Sequence, residues 1–283
     1  MFERVLICTD LKDGLQRLAH YIDALAAGGM KQIVFLHVAP LIETRTVPKS
    51  DNDRVEQAQA QLTAAVGQSP AGVEVHIEVR SEPSVETILQ VAKSYGCESM
   101  VLGSQPHNSL TEILRGSTMT ELSRRTTIPM LILRPQLIAA FTGEELRLRC
   151  QHLFRAVLVP YDGSTAANFL VEQLKQLAQK QTDRYLERCV LSWVTGDIPS
   201  QTEQNLLADI KVDLESANLQ VTTDLRRGTP LTDILELAQM EEISAIAIST
   251  GTIGKFQEWI VGSFAAELLR LSWSPVLFFP PSR

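Results

Sequence analysis

The sequence predicts an α/β protein of two tandem domains, each a five-stranded parallel sheet with helices on both faces. Three observations carry that expectation. "VLICTD" at 5–10 returns as "VLVPYD" at 157–162, so Asp162 lies 152 residues after Asp10. Later landmarks hold a second fixed spacing of 146, pairing Ile88 with Ile234, Ala92 with Ala238, Gly116 with Gly262, Pro129 with Pro275 and Pro135 with Pro281. Short apolar runs also alternate with amphipathic stretches throughout both copies. Several of these runs are apolar without interruption, as strands covered on both faces require.

The first copy reads in order. "RVLICTD" is a buried strand, and "GLQRLAHYIDALAAGG" an amphipathic helix closed by glycines. "KQIVFLHVAP" is the second strand, "NDRVEQAQAQLTAAVG" a helix, and "VEVHIEVR" an alternating third strand. "PSVETILQVAKSYG" opens a helix on proline, where the missing N–H is harmless. "SMVLGS", "LRGSTMTELSRRT" and "IPMLIL" complete the set as strand, helix and strand. The second copy follows with "RAVLVPYD", "FLVEQLKQLAQKQ", "YLERCVLSWVTG", "TEQNLLADIKVDLESAN", "LQVTTDLRR", "DILELAQME", "AIAIST", "GSFAAELLRLS" and "SPVLFFP". The expected domains are 1–135 and 151–283. A short helical linker, rich in Glu and Leu after Gly143, is expected over 136–150.

Composition narrows the function classes. A chain of 283 residues that is 45% hydrophobic and 21% charged has material for two cores. A net charge of −7 argues against nucleic-acid binding, which draws affinity from clustered Lys and Arg. Small anions remain open, because backbone amides hold them without net positive charge. No run approaches the length of a membrane helix, and "MFERVLICTD" lacks the form of a signal peptide, so a cytoplasmic location and no membrane partner are expected. Cys8, Cys97, Cys150 and Cys189 stand apart with no metal-ligand spacing and read as reduced core thiols, so no metal is expected.

Open parallel sheets bind ligands at the carboxyl ends of their strands. After the fourth strand the first copy reads "GSQPHNSLTEILRGS" and the second "STGTIGKFQEWIVGS". On these stretches, and on the Asp that ends strand 1, the chain resembles the universal stress protein family over nearly its whole length, twice. In that family a G-x2-G-x9-G-[ST] loop wraps the phosphates and ribose of a nucleotide. Glycines permit close backbone approach, and the final Gly-Ser opens a helix whose free amides hold phosphate. The first copy keeps Gly103, Gly116 and Ser117 in register but has Pro106 at the second glycine, which fixes φ and removes an N–H. The second keeps Gly262 and Ser263 but has Ser249 and Thr252 at the first two glycines.

The resemblance implies a Rossmann-like domain of flavodoxin topology. It implies a cytoplasmic stress-response protein working by binding and regulation. The candidate contacts it carries over are Asp10, Val38, Gly103, Pro106, Gly116, Ser117 and Thr118 in the first copy, and Asp162, Val194, Gly262 and Ser263 in the second. Asp10 and Asp162 read equally well as caps of the helices that follow. Trp193, beside Val194, either lines a pocket or fills one.

No residue is assigned a catalytic role. "GTIGKF" misses the Walker pattern because Phe256 stands where Ser or Thr must bind magnesium, and no GxGxxG or GxSxG is present. Three functions stay open: a non-catalytic adaptor with degenerate nucleotide pockets and a protein partner of unknown identity, an ATP or AMP sensor using mainly the first copy, and a weak ATP hydrolase. The resemblance also implies pairing of domains through their fifth strands, as an internal pseudo-dimer or a homodimer.

Overall fold

The computed structural model describes residues 2–12, 14–39, 52–81, 84–104, 118–181, 185–249 and 264–280. They form two compact units, one of the described residues up to Gln151 and one of those from His152 onward.

In the first unit the strands are β1 (Arg4–Cys8), β2 (Gln32–Val38), β3 (Glu74–Arg80), β4 (Ser99–Gly103) and β5 (Met130–Leu133). They pair in parallel in the order β3-β2-β1-β4-β5. Sequence polarity explains who sits where. Val5, Leu6 and Ile7 are wholly buried, so β1 takes the centre with neighbours on both sides. No residue of β3 is fully buried, and "EVHIEVR" takes the edge. This order is the Rossmann half-sheet and corrects the expected flavodoxin order, in which the third strand lies inside the sheet. The direction of winding reverses between β1 and β4, so the ligand crevice falls at their carboxyl ends.

The expected first helix is two pieces, a 3-10 helix over Leu15–Tyr21 and α1 over Ile22–Ala27. Gly14, at φ 92, turns the chain into the first piece. The tighter winding stacks positions i and i+3, which buries Leu15 and Leu18 in one line. The remaining helices are α2 (Asn52–Val66), α3 (Ser84–Ser94) and α4 (Thr118–Arg125).

The segment after β5 forms α5 (Pro135–Ala140) and α6 (Gly143–Gln151), and both pack on the first unit. The guanidinium of Arg17 donates to the carbonyls of Ile138, Ala139 and Phe141 as α5 ends. Thr142 and Glu145 cap α6 reciprocally: the Thr142 N–H donates to the carboxylate at 2.8 Å, and the Glu145 N–H to the hydroxyl at 3.3 Å. Arg147 pairs with Asp23 and lies over the Tyr21 ring, and Leu146 and Cys150 are buried.

The second unit repeats the plan with β6 (Ala156–Pro160), β7 (Arg188–Thr195), β8 (Gln220–Arg227), β9 (Ala245–Ser249) and β10 (Val276–Phe279). They pair in parallel in the order β8-β7-β6-β9-β10. Its helices are α7 (Thr165–Lys180), α8 (Gln201–Glu215), α9 (Pro230–Met240) and α10 (Phe264–Leu271). Burial pushes the thiols of Cys97, Cys150 and Cys189 up, to about 11, 12 and 12, so all three stay protonated and unreactive at neutral pH. No described helix is long and apolar enough to cross a membrane, and no described group of His, Cys, Asp and Glu is arranged to hold a metal ion.

Candidate functional site

Strand register aligns the two units residue by residue. Cys8 lies opposite Leu36 and Pro160 opposite Ser192, so one step further Thr9 corresponds to Tyr161 and His37 to Trp193. Val38 and Val194 correspond as well, and lie opposite Arg80 and Arg226. Gly103 pairs with Leu133 and Ser249 with Phe279. The carboxyl ends of the first, second and fourth strands therefore form the same platform in each unit.

In the first unit Asp10 is exposed, and its carboxylate accepts the Lys12 N–H at 2.8 Å. That closes an Asx turn rather than capping a helix, and it holds Leu11 in the left-handed region at φ 64. His37 is buried, and its Nδ1 bonds the Thr9 carbonyl at 2.9 Å, which ties the end of β2 to the end of β1. Val38 and Gly103 are half-buried at their strand ends. Thr118 opens α4, exposed, with its hydroxyl 3.4 Å from that of Ser84.

In the second unit the same positions hold aromatic rings. Tyr161 is fully buried; its hydroxyl donates to Asn168 at 2.6 Å, and burial raises its pKa, helped by the charge of Asp162. Trp193 meets it edge-on, with ring centroids 5.3 Å apart at 73°, a favourable aromatic geometry. The Asp162 carboxylate accepts the Ser164 N–H at 3.0 Å, and Ser164 caps α7 through the Ala167 N–H. Between them Gly163 sits at φ 74, and a Cβ there would stand 3.2 Å from Trp193 Cη2. Ser249 stands in place of Gly103, and its hydroxyl donates to the Phe279 carbonyl at 2.9 Å.

Glycine at 163 thus serves both a backbone conformation and the tryptophan. Gly163→Ala is expected to lower stability by about 1–2 kcal/mol, a thermal midpoint loss of roughly 2–8 °C by calorimetry. Gly67, at φ 58 with nothing within 4 Å of an added Cβ, is the control. If both alanine variants melt alike, Trp193 does not press on the turn.

A pairing that motif reading missed recurs in both units. Arg80 binds Glu78 at 2.7 Å, while Arg226 forks onto Asp224, which also accepts the Ser192 hydroxyl at 2.8 Å. Both pairs sit at the end of the third strand beside Val38 and Val194. The signal was available as "EVR" and "DLR" at the common spacing of 146. Pro106, Gly116, Ser117, Gly262 and Ser263 lie outside the described residues. The structure therefore brings together Asp10 and Val38 with Gly103, and Asp162 with Val194.

The family model for the universal stress protein family matches residues 1–134 and again 153–280. A universal stress protein of Mycolicibacterium smegmatis is 24% identical over 263 residues, covering 88% of this chain and 84% of that protein. One from Mycobacterium bovis is 25% identical over 229 residues, covering 74% and 73%. Among solved structures, a universal stress protein from Archaeoglobus fulgidus matches with a TM-score of 0.67 at 19% identity over 98% of both chains. A protein of unknown function from Pseudomonas aeruginosa matches at 0.56 and 15%, over 99% of this chain and 92% of its own. Two family matches in tandem, on two units of one strand order, place the conclusion beyond the motifs: the chain belongs to the universal stress protein family, in its two-domain form.

Proposed function

We propose that the chain is a non-catalytic stress-response adaptor whose nucleotide pockets have degenerated, the second further than the first. One observation carries the reading. Where the first unit has His37 folded back onto the Thr9 carbonyl, the second has Trp193 laid against Tyr161 and over Gly163. An indole there takes up the space that a nucleoside would need beside Val194. Ser249, with its side chain in place of Gly103, further reduces the room for a phosphate.

A second reading is favoured by the same contrast. In the first unit the His37 ring is turned aside and Gly103 keeps its bare backbone, which supports an ATP or AMP sensor working through that unit alone. A cytoplasmic location and a homodimer belong to the proposal, and no hydrolysis is expected from either pocket.

Native mass spectrometry of freshly purified protein, with and without millimolar ATP, tests both readings. No added mass supports the adaptor. One nucleotide per chain supports the sensor, and should bring stabilisation of about 2.7 kcal/mol at a hundredfold excess over Kd. Two per chain would overturn the account of the second pocket. The same spectra count chains, and phosphate release in a parallel assay would overturn the non-catalytic reading.

A further inference from the structure

The carboxyl end of the second unit carries an apolar surface that pocket closure alone does not require. Around the Cβ position of Gly163, Trp193 approaches to 3.2 Å and Leu206 of α8 to 4.0 Å. Leu206 is 37% exposed, and Ile198, three residues beyond the end of β7, is 80% exposed. Single exposed apolar residues are ordinary. Here an indole, a leucine and an isoleucine come from the strand, loop and helix that frame one ligand end, where a rigid scaffold presents its binding loops.

Among the described residues the charge of this end is mostly acidic. Its described lining from these elements is residues 161–168, after β6 and into the first turn of α7, and 194–206, the end of β7, the next loop and the first turns of α8. Neither stretch contains a Lys, Arg or His. Between them they carry Asp162, Asp197 and Glu203. On the adjoining strand Arg226 is forked onto Asp224, and Arg227, opposite Thr195, offsets one acid. Such a surface repels a polyphosphate and complements a basic segment.

We propose that this end of the second unit docks a short basic peptide segment of a partner protein, with an aliphatic or aromatic side chain set against Trp193 and Leu206 and Lys or Arg facing Asp162 and Asp197. The proposal rests on the second pocket being closed to nucleotide. Tryptophan at the centre of such a contact supplies anchoring area, and the surrounding acids set orientation and encounter rate.

The test is selection of a random heptapeptide phage library on the full chain, followed by titration of the enriched peptides. The readout is Trp193 fluorescence in a background carrying Trp259→Phe and Trp273→Phe, which removes the other two indoles. Enriched sequences should combine Lys or Arg with Leu, Ile, Phe or Trp. Leu206→Lys and Asp197→Lys, both at exposed positions, should each weaken binding by about tenfold or more while melting like the parent. Absence of enrichment, enrichment of acidic peptides, or binding unchanged in both variants overturns the proposal and leaves the pocket reading intact. Quenching of Trp193 by ATP overturns the pocket reading itself. Self-association that disappears in Leu206→Lys would assign the surface to a second copy of the chain and overturn the peptide.

Discussion

Replacing Arg17 with leucine is expected to cost about 3 kcal/mol, because it removes the donor of three backbone carbonyls, those of Ile138 and Phe141 in part-buried surroundings. Arg17 lies in the 3-10 helix of the first unit, and its guanidinium reaches Ile138, Ala139 and Phe141, more than 120 positions along the chain. The last carbonyls of a helix have no partner within it, so they need one from outside. Leucine keeps much of the apolar stem and removes every donor. The cost is therefore that of the unmade bonds rather than of a cavity. Differential scanning calorimetry should show the first unit melting roughly 6–12 °C lower. Lysine, a single point donor without the planar fork, should recover only part of that loss. A melt unchanged in Arg17→Leu would mean that α5 is not held by this clasp.

That clasp shows where sequence reading stopped. The duplication was legible from the spacings of 152 and 146, and the strand count and parallel sheet from short apolar runs such as "VLVP" and "AIAIS" alternating with amphipathic stretches. The strand order was not legible from periodicity. It follows from which strand tolerates an exposed edge, a comparison between β1 and β3 that only pairing makes visible. The segment 136–150 read as a linker because it lies between the two repeated copies. Its attachment is polar and long-range, through Arg17 and Asp23, and no local periodicity encodes a contact of that kind.

At the site, the residue types were legible and their use was not. Asp10 and Asp162 both close Asx turns at the strand end, and Ser164, rather than the aspartate, caps α7. The exchange of Thr9 and His37 for Tyr161 and Trp193 was invisible as a pair, since partners in it lie 28 and 32 positions apart and meet only through the parallel register. The pairs Glu78–Arg80 and Asp224–Arg226 occur at the same place in both units, whereas Thr9 and His37 are matched by Tyr161 and Trp193. The sheet end is thus common to the two units, and the residues that cover it differ.

Substituting Gly28 with valine should destabilise the first unit by about 3 kcal/mol, at the upper end of overpacking costs. Gly28 ends α1 at φ −79, a conformation any residue adopts, so backbone strain contributes nothing. The obstacle is steric. An added Cβ would lie 2.8 Å from the Gln151 carbonyl oxygen and 3.1 Å from that of Cys150, and backbone atoms cannot rotate aside as a side chain would. Valine adds two methyl groups to that clash, so α6 must lift from α1. Gly196, with nothing within 4 Å, is the matched control, and Gly196→Val should stay within about 0.5 kcal/mol of the parent. The second readout is electrostatic. The hydrogen bond from Arg147 holds the Asp23 carboxyl below the usual carboxylate range, so lifting α6 should return its NMR titration midpoint upward. A Gly28→Val variant with an unchanged melt and an unchanged Asp23 midpoint would show that α6 does not rest on the first unit. A lowered melt together with a raised Asp23 midpoint would tie residues 135–151 to that unit as part of its covering layer.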